Sequence, residues 1–303
     1  MLMKLDSKIS DLCLQLVIGN RDQHPHLVAI LDATCDHFSP LSQLALEQFT
    51  CVGSHHHNGP ALLLLELQGM DDPMLPLTVE LGMQNVGQQI LGWMWVDSAI
   101  EAASNHMRSV MNAKHRGNVP YFLDAYRPHV SQHLPTILTA KQWCAVHAPA
   151  AKWAWIGWDG HLQWAPAPDT TLHRPSHINM SDEQSLRLEE CVATNAVLRA
   201  WVASDGVLDE MVIQEAGRLV AQCRQRYPQT SYQDRAVYAV YALRHGERFD
   251  NHPLIRQRID MFLAQPHGMA QALGGVSDTQ WAMIGYEFQR NTGLNLATEH
   301  RRR

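Results

Sequence analysis

The sequence has no apolar run long enough to cross a membrane, for which roughly 20 residues are needed. Its longest run, residues 60–65, ends at Glu66. The segment that follows Met1 carries polar and charged residues where a signal peptide has an apolar core. We therefore expect a soluble, cytoplasmic protein without membrane insertion.

Basic residues and closely spaced cysteines are also scarce. The chain has 24 Lys and Arg against 30 Asp and Glu, a formal net charge of −6. Non-specific nucleic-acid binding depends on basic residues that meet phosphates, so this balance argues against nucleic acid as a partner. The six cysteines include no CxxC pair, which predicts reduced, packed thiols rather than a disulfide framework.

Sequence motifs of common catalytic and nucleotide-binding sites are missing too. The chain contains no GxGxxG, GxxxxGK(S/T), GxSxG or HExxH. His55-His56-His57 is the obvious candidate for a metal site, but consecutive side chains diverge, so we interpret it as a polar turn. We predict no catalytic residues, no metal and no cofactor. One alternative stays open, an α/β hydrolase or transferase that uses Asp32 and Asp124 with a histidine-bound metal.

The N-terminal half alternates strands with helices, which is typical of an α/β lobe with a mixed sheet and flanking helices. Apolar runs predict strands over residues 27–31, 49–52, 60–67 and 90–96. Helices are predicted after Ser39-Pro40, after Asp72-Pro73 and over residues 98–115. With 303 residues, two domains are the better expectation.

The segment from Tyr121 to Trp164 completes this lobe. It predicts a strand, then a helix that starts at Arg127-Pro128 and is interrupted at Pro135, then a hairpin that turns at Asp159-Gly160. Five of the nine tryptophans fall within these residues. Alternate tryptophans on a strand favour a core over a ligand surface, and Trp158, beside the turn, is expected to be the most exposed of them.

The C-terminal part changes character after a proline-rich segment, residues 166–175. Capping signals and helical periodicity predict helices over residues 181–203, 208–227, 231–246, 253–265 and 281–288. The predicted domains are therefore an α/β domain at residues 1–168 and an all-α helical domain at residues 176–303.

Taken in order, these segments resemble the adaptor/chaperone family of bacterial type VI secretion. The strand that ends at Asp32 is similar to the family's opening strand, and the strand after Gly59-Pro60 is similar to its Gly-Pro strand. Tyr126–Val130 falls where the family has an Asp-Pro-Arg-Val-Leu helix start. Trp153-Ala-Trp155 resembles its closing strand. The resemblance covers about residues 25–165.

A phrase in the helical lobe, Gly246–Pro253, is also similar to the family. One feature departs from it: the family places Arg three residues before Asp-Pro, whereas here Asp124 precedes Arg127-Pro128. If these residues form an ion pair, exchanging both signs keeps it. If one of them contacts a partner, the exchange changes the choice of partner.

The resemblance implies that the chain is not an enzyme. It implies an adaptor that binds a cognate toxic effector in the producing cell and helps load it onto the secretion spike protein, without being exported. The acidic balance suits effector segments that are basic or apolar. We predict Asp124, Arg127 and Trp158 as effector-binding residues, because they form a charged helix start and a tryptophan beside a turn.

Overall fold

The computed structural model describes residues 7–18, 23–33, 48–53, 60–84, 89–115, 119–175, 177–204 and 206–287. An N-terminal region of sheets and helices is followed by an all-helical region, which confirms the predicted fold class. The chain divides into two compact units, Met1–Leu188 and Glu189–Arg303. The division falls within one long helix, C-terminal to the proline-rich segment that we predict as the domain boundary.

The strands of the first unit form two sheets. In chain order they are β1 (His26–Asp32), β2 (Phe49–Gly53), β3 (Pro60–Leu67), β4 (Ile90–Val96), β5 (Asn112–His115), β6 (Val119–Phe122), β7 (Ala150–Ile156), β8 (Leu162–Trp164) and β9 (Asn179–Met180). The larger sheet has the order β2-β3-β1-β4-β7-β8, with neighbouring strands antiparallel. The smaller has the order β6-β5-β9 and is mixed, because β5 runs antiparallel to β6 and parallel to β9.

Helices cover both faces of the larger sheet. In chain order they are α1 (Ser7–Val17), α2 (Met74–Gln84), α3 (Ile100–Met111), α4 (Pro128–Ser131), α5 (Leu134–Ile137) and α6 (Ala140–His147). On one face, the indole of Trp95 donates to the backbone of Leu16 in α1 at 2.8 Å, and that of Trp93 donates to Thr78 in α2 at 3.1 Å. Because strand side chains alternate, Trp153 lies on the other face, where it contacts Trp143 of α6.

The strands and helices predicted for the described residues of this unit are found in the structure, with one correction. The helix predicted over residues 98–115 ends at Met111, and Asn112–His115 form β5 instead. Helical periodicity was overridden here because these four residues pair with β6 and β9. The helix predicted after Ser39 and the run His55–His57 lie outside the described residues.

The second unit contains the C-terminal helices. After α7 (Asp182–Val202), which spans the division, come α8 (Glu210–Arg226), α9 (Tyr232–His245), α10 (Pro253–Phe262), α11 (Gly268–Gly274) and a helix over residues 278–287, α12. Side chains of Asp209 and Ser231 cap α8 and α9 by accepting backbone N–H groups. The helix α11 is not among those predicted from the sequence.

The phrase Gly246–Pro253 has a structural role in this unit. Gly246 ends α9 with a φ of 94°, a conformation that favours glycine. Asp250 is 1% exposed. Its carboxylate accepts hydrogen bonds from Arg226 at 2.5 and 2.7 Å, from Tyr227 at 3.0 Å and from Tyr238 at 3.3 Å. The buried carboxylate of this segment therefore joins the end of α8 to the middle of α9.

We predict that Asp250→Ala destabilises the protein by about 3 kcal/mol, because it leaves the Arg226 guanidinium and two tyrosine hydroxyls without their acceptor. Urea unfolding followed by circular dichroism measures the change. Asp260→Ala, an exposed aspartate on α10, is the matched control and should shift stability by less than about 0.5 kcal/mol. Equal stability of the two variants would contradict this account of the phrase.

Candidate functional site

Two carboxylates converge on Arg127. Its Nη2 lies 2.6 Å from a carboxylate oxygen of Asp32, and its Nε donates to the carboxylate of Asp124. Asp32 is 1% exposed, whereas Asp124 and Arg127 are partly exposed. The structure therefore brings together both predicted charged site residues and adds Asp32, which the enzymatic alternative names.

Different elements of the fold hold these three side chains in place. Asp32 is the last residue of β1, and its backbone N–H donates to Gln89 at 2.9 Å. Asp124 follows β6, and Arg127 precedes Pro128, the first residue of α4. The buried hydroxyl of Ser131 lies within hydrogen-bonding distance of two carbonyl oxygens, 2.7 Å from that of Ala125 and 2.8 Å from that of Arg127. These contacts fix the turn between the two residues.

Arg127 stays positively charged in this environment. Burial acts to lower the pKa of Arg127, but the negative charges and hydrogen bonds of Asp124 and Asp32 outweigh it and raise the pKa. The side chain is therefore a guanidinium, and it neutralises a carboxylate that lies almost out of contact with water. The three residues join the end of the sheet to the start of α4.

Trp158 lies close to the same helix start. It lines a narrow pocket together with Pro128, Gln132 and Trp155. It is half-buried, and Trp164 on β8, at 40% exposed, is the more exposed of the two. The expectation that Trp158 is the most exposed of the five tryptophans is therefore wrong, because Trp158 lies beside Pro128 of α4, whereas Trp164 lies on the edge strand of the sheet.

The other tryptophans of the segment form the aromatic core that we predict. The ring of Trp153 lies 5.4 Å from Tyr126, 6.1 Å from Trp143 and 5.6 Å from Trp155, measured between centroids. All four residues are buried. Since Tyr126 is the neighbour of Arg127, this packing also anchors the ion-pair cluster to β7.

A groove in this unit has a buried histidine in its wall. The groove has a volume of about 570 Å³ and is lined by residues of α3, of the α6–β7 junction and of the proline-rich segment. His147, 2% exposed, belongs to its wall. Burial lowers the pKa of His147 to about 4, opposed by a hydrogen bond with Ala150 and assisted by the positive charge of Arg174. The imidazole is therefore neutral near pH 7.

The part of the chain that the structure describes contains neither a cluster of possible metal ligands nor a membrane-spanning helix. No group of three or more His, Cys, Asp or Glu side chains in that part of the chain could hold a metal ion. Among those residues, no helix is both long and apolar enough to cross a bilayer. The histidine run invoked by the enzymatic alternative lies outside them.

Comparison of the chain with protein-family models, curated proteins and solved structures found no match in any of the three.

From the ion-pair cluster we predict that exchanging the charges of Asp124 and Arg127 destabilises the protein. The double variant Asp124→Arg, Arg127→Asp restores a pair between positions 124 and 127, but it places a carboxylate against buried Asp32. We expect a loss of about 3 kcal/mol or more in urea unfolding near pH 7. Asp124→Asn, which removes only the partly exposed partner, should cost about 1 kcal/mol. An exchanged protein as stable as the wild type would show that Asp32 does not depend on Arg127.

Because burial lowers the pKa of His147, we predict that the protein loses stability in mild acid. The histidine's folded pKa of about 4 is below its ordinary value of 6.5, so the unfolded chain takes up a proton first as the pH falls. Stability is therefore lost between about pH 6.5 and pH 4, with about 2 kcal/mol lost from pH 7 to pH 5. Urea unfolding of wild type and His147→Gln at both pH values isolates the contribution of His147 to this loss of stability. His173→Gln, at an exposed histidine, should keep the wild-type dependence, and an unchanged slope in His147→Gln would exclude His147 as its source.

Proposed function

We propose that the chain is an adaptor of bacterial type VI secretion. In this proposal it is cytoplasmic, binds a cognate toxic effector in the producing cell and helps load that effector onto the secretion spike protein. It is not an enzyme and is not itself exported. Effector segments of basic or apolar character suit its net charge of −6.

The observation that carries the proposal is that the segments with the family resemblance form one connected structure. β1 pairs with β3 and with β4, and β4 pairs with β7. The helix start at Arg127 is tied to the end of β1 through Asp32. Resemblances scattered over about residues 25–165 therefore fall on elements in mutual contact, as expected of a shared domain and not of chance similarity in separate places.

The geometry separates the proposed effector-binding residues by role. Arg127 is engaged by Asp32 and Asp124, so a change there acts on stability as well as on any interface. Trp158 is half-buried beside a pocket at the start of α4. Partly buried tryptophans next to small pockets are typical of residues that dominate interface energetics. Trp158 is therefore the cleaner test of effector binding.

The proposal is tested by co-expression of the tagged chain with the full-length toxin encoded by the neighbouring gene. Purification at moderate salt, followed by light scattering on a size-exclusion column, should yield a stable complex near one to one. A lone chain that carries stoichiometric metal and turns over a substrate would instead support the hydrolase or transferase alternative.

We predict that Trp158→Ala weakens effector binding by about tenfold or more, because it removes a large indole from the proposed interface. Isothermal titration calorimetry with the purified effector measures the change. Trp164→Ala, on the other strand of the same hairpin, is the control and should bind within about twofold of wild type. Binding by Trp158→Ala equal to that of wild type removes Trp158 from the interface.

A further inference from the structure

A cleft in the second unit is lined by polar and charged side chains. It has a volume of about 600 Å³, and its walls include the buried carboxylate of Asp250. The other lining residues come from the end of α8, from the segment after α9 and from α10: Arg226, Tyr227, Asn251, Arg256 and Asp260. Ligand pockets are usually lined mostly by apolar residues, so this lining indicates a polar ligand.

Asp250 fixes the orientation of Arg226 in this cleft. Nη1 of Arg226 donates to both oxygens of the carboxylate, at 2.5 and 2.7 Å. The carboxylate is itself held by the hydroxyl groups of Tyr227 and Tyr238. The hydrogen bond with Asp250 raises the pKa of Arg226 although partial burial opposes it. The side chain is therefore a guanidinium held in one orientation.

Another edge of the same guanidinium is available to a ligand. Nε and Nη2 of Arg226 have no hydrogen-bond partner among the described residues, and the side chain is 33% exposed. The Nε–H group and the adjacent N–H of Nη2 are parallel, and this arrangement matches the two oxygens of a carboxylate. Because Asp250 already occupies Nη1, the Nε–Nη2 edge is left for a second acceptor. Its fixed orientation reduces the entropy lost when that acceptor binds.

Two further side chains supply hydrogen-bond donors to the cleft. Arg256 is exposed on α10, and Asn251 is exposed just before that helix. Neither side chain has a hydrogen-bond partner among the residues that the structure describes. Their N–H groups are donors that suit the oxygens of an anionic ligand. The cleft thus combines one fixed guanidinium with a second guanidinium and an amide.

The balance of charge around the cleft favours a ligand group with a single negative charge. The positive charges of Arg226 and Arg256 are matched by the negative charges of Asp250 and Asp260. A phosphate group with two negative charges would meet both carboxylates without an excess of positive charge to offset them. A carboxylate group gains the directional hydrogen bonds of the free guanidinium edge and adds only one charge.

We infer that this cleft binds a carboxylate group, which accepts hydrogen bonds from Nε and Nη2 of Arg226 and from the guanidinium of Arg256. The carboxylate belongs either to a small organic acid or to the end of a peptide chain, since both present the same two oxygens. A volume of about 600 Å³ accommodates either ligand. The site goes beyond the proposed adaptor function and does not depend on it.

The site is tested by titration of the protein with acetate at constant ionic strength, followed in proton–nitrogen spectra of the arginine side chains. The Nε–H resonance of Arg226 should move downfield and saturate as it donates to the added carboxylate. Arg256→Gln removes a guanidinium at an exposed position and should weaken acetate binding at least fivefold. Arg244→Gln, at an exposed arginine of α9 outside the cleft, is the matched control and should bind acetate as wild type does.

Two peptides separate the sources of the carboxylate: N-acetyl-trialanine with a free C-terminal carboxylate, and the same peptide with a C-terminal amide. Tighter binding of the acid than of acetate indicates a site for peptide ends, and affinity no tighter than that of acetate indicates a site for small organic acids. In both cases the amide should bind at least tenfold more weakly than the acid. If Arg226 responds to neither acetate nor the acid, if the amide binds as well as the acid, or if inorganic phosphate binds more tightly than acetate, the cleft is not a carboxylate site.

Discussion

The architecture of the first unit depends on the contact between Arg127 and the buried carboxylate of Asp32. A carboxylate that is 1% exposed at the end of a central strand is strongly unfavourable unless a charge and hydrogen bonds compensate it. Arg127 supplies both at a distance of 2.6 Å, and Asp124 holds the guanidinium from its other side. The turn that leads into α4 is therefore fixed relative to β1, and this in turn places the aromatic residues that follow.

The second unit contains a similar arrangement. Asp250 is as deeply buried as Asp32, and it accepts from an arginine at the end of α8 and from two tyrosines. In each unit a partly exposed arginine meets a buried aspartate and connects elements distant in sequence. Such pairs add little net stability over apolar packing but are very sensitive to loss of one partner. They serve here to define how chain segments meet.

These ion pairs distinguish residues that hold the fold in place from residues that a partner could contact. The charged residues at the helix start are engaged with one another, whereas Trp158 is half-buried beside a pocket. In the adaptor function that we propose, such a division would keep the binding surface in place before the partner arrives.

Local sequence signals determined the elements: apolar runs predicted β1, β3 and β4, proline at residue 128 predicted the start of α4, and capping residues predicted α7 and α9. Their physical causes act within a few residues, so one sequence is enough to read them. Only the tertiary structure decided that Asn112–His115 form a strand, that Asp32 joins Asp124 at Arg127, and that His147 is buried in the wall of a groove. Each depends on contacts between segments far apart in the chain, whose energies override local preference.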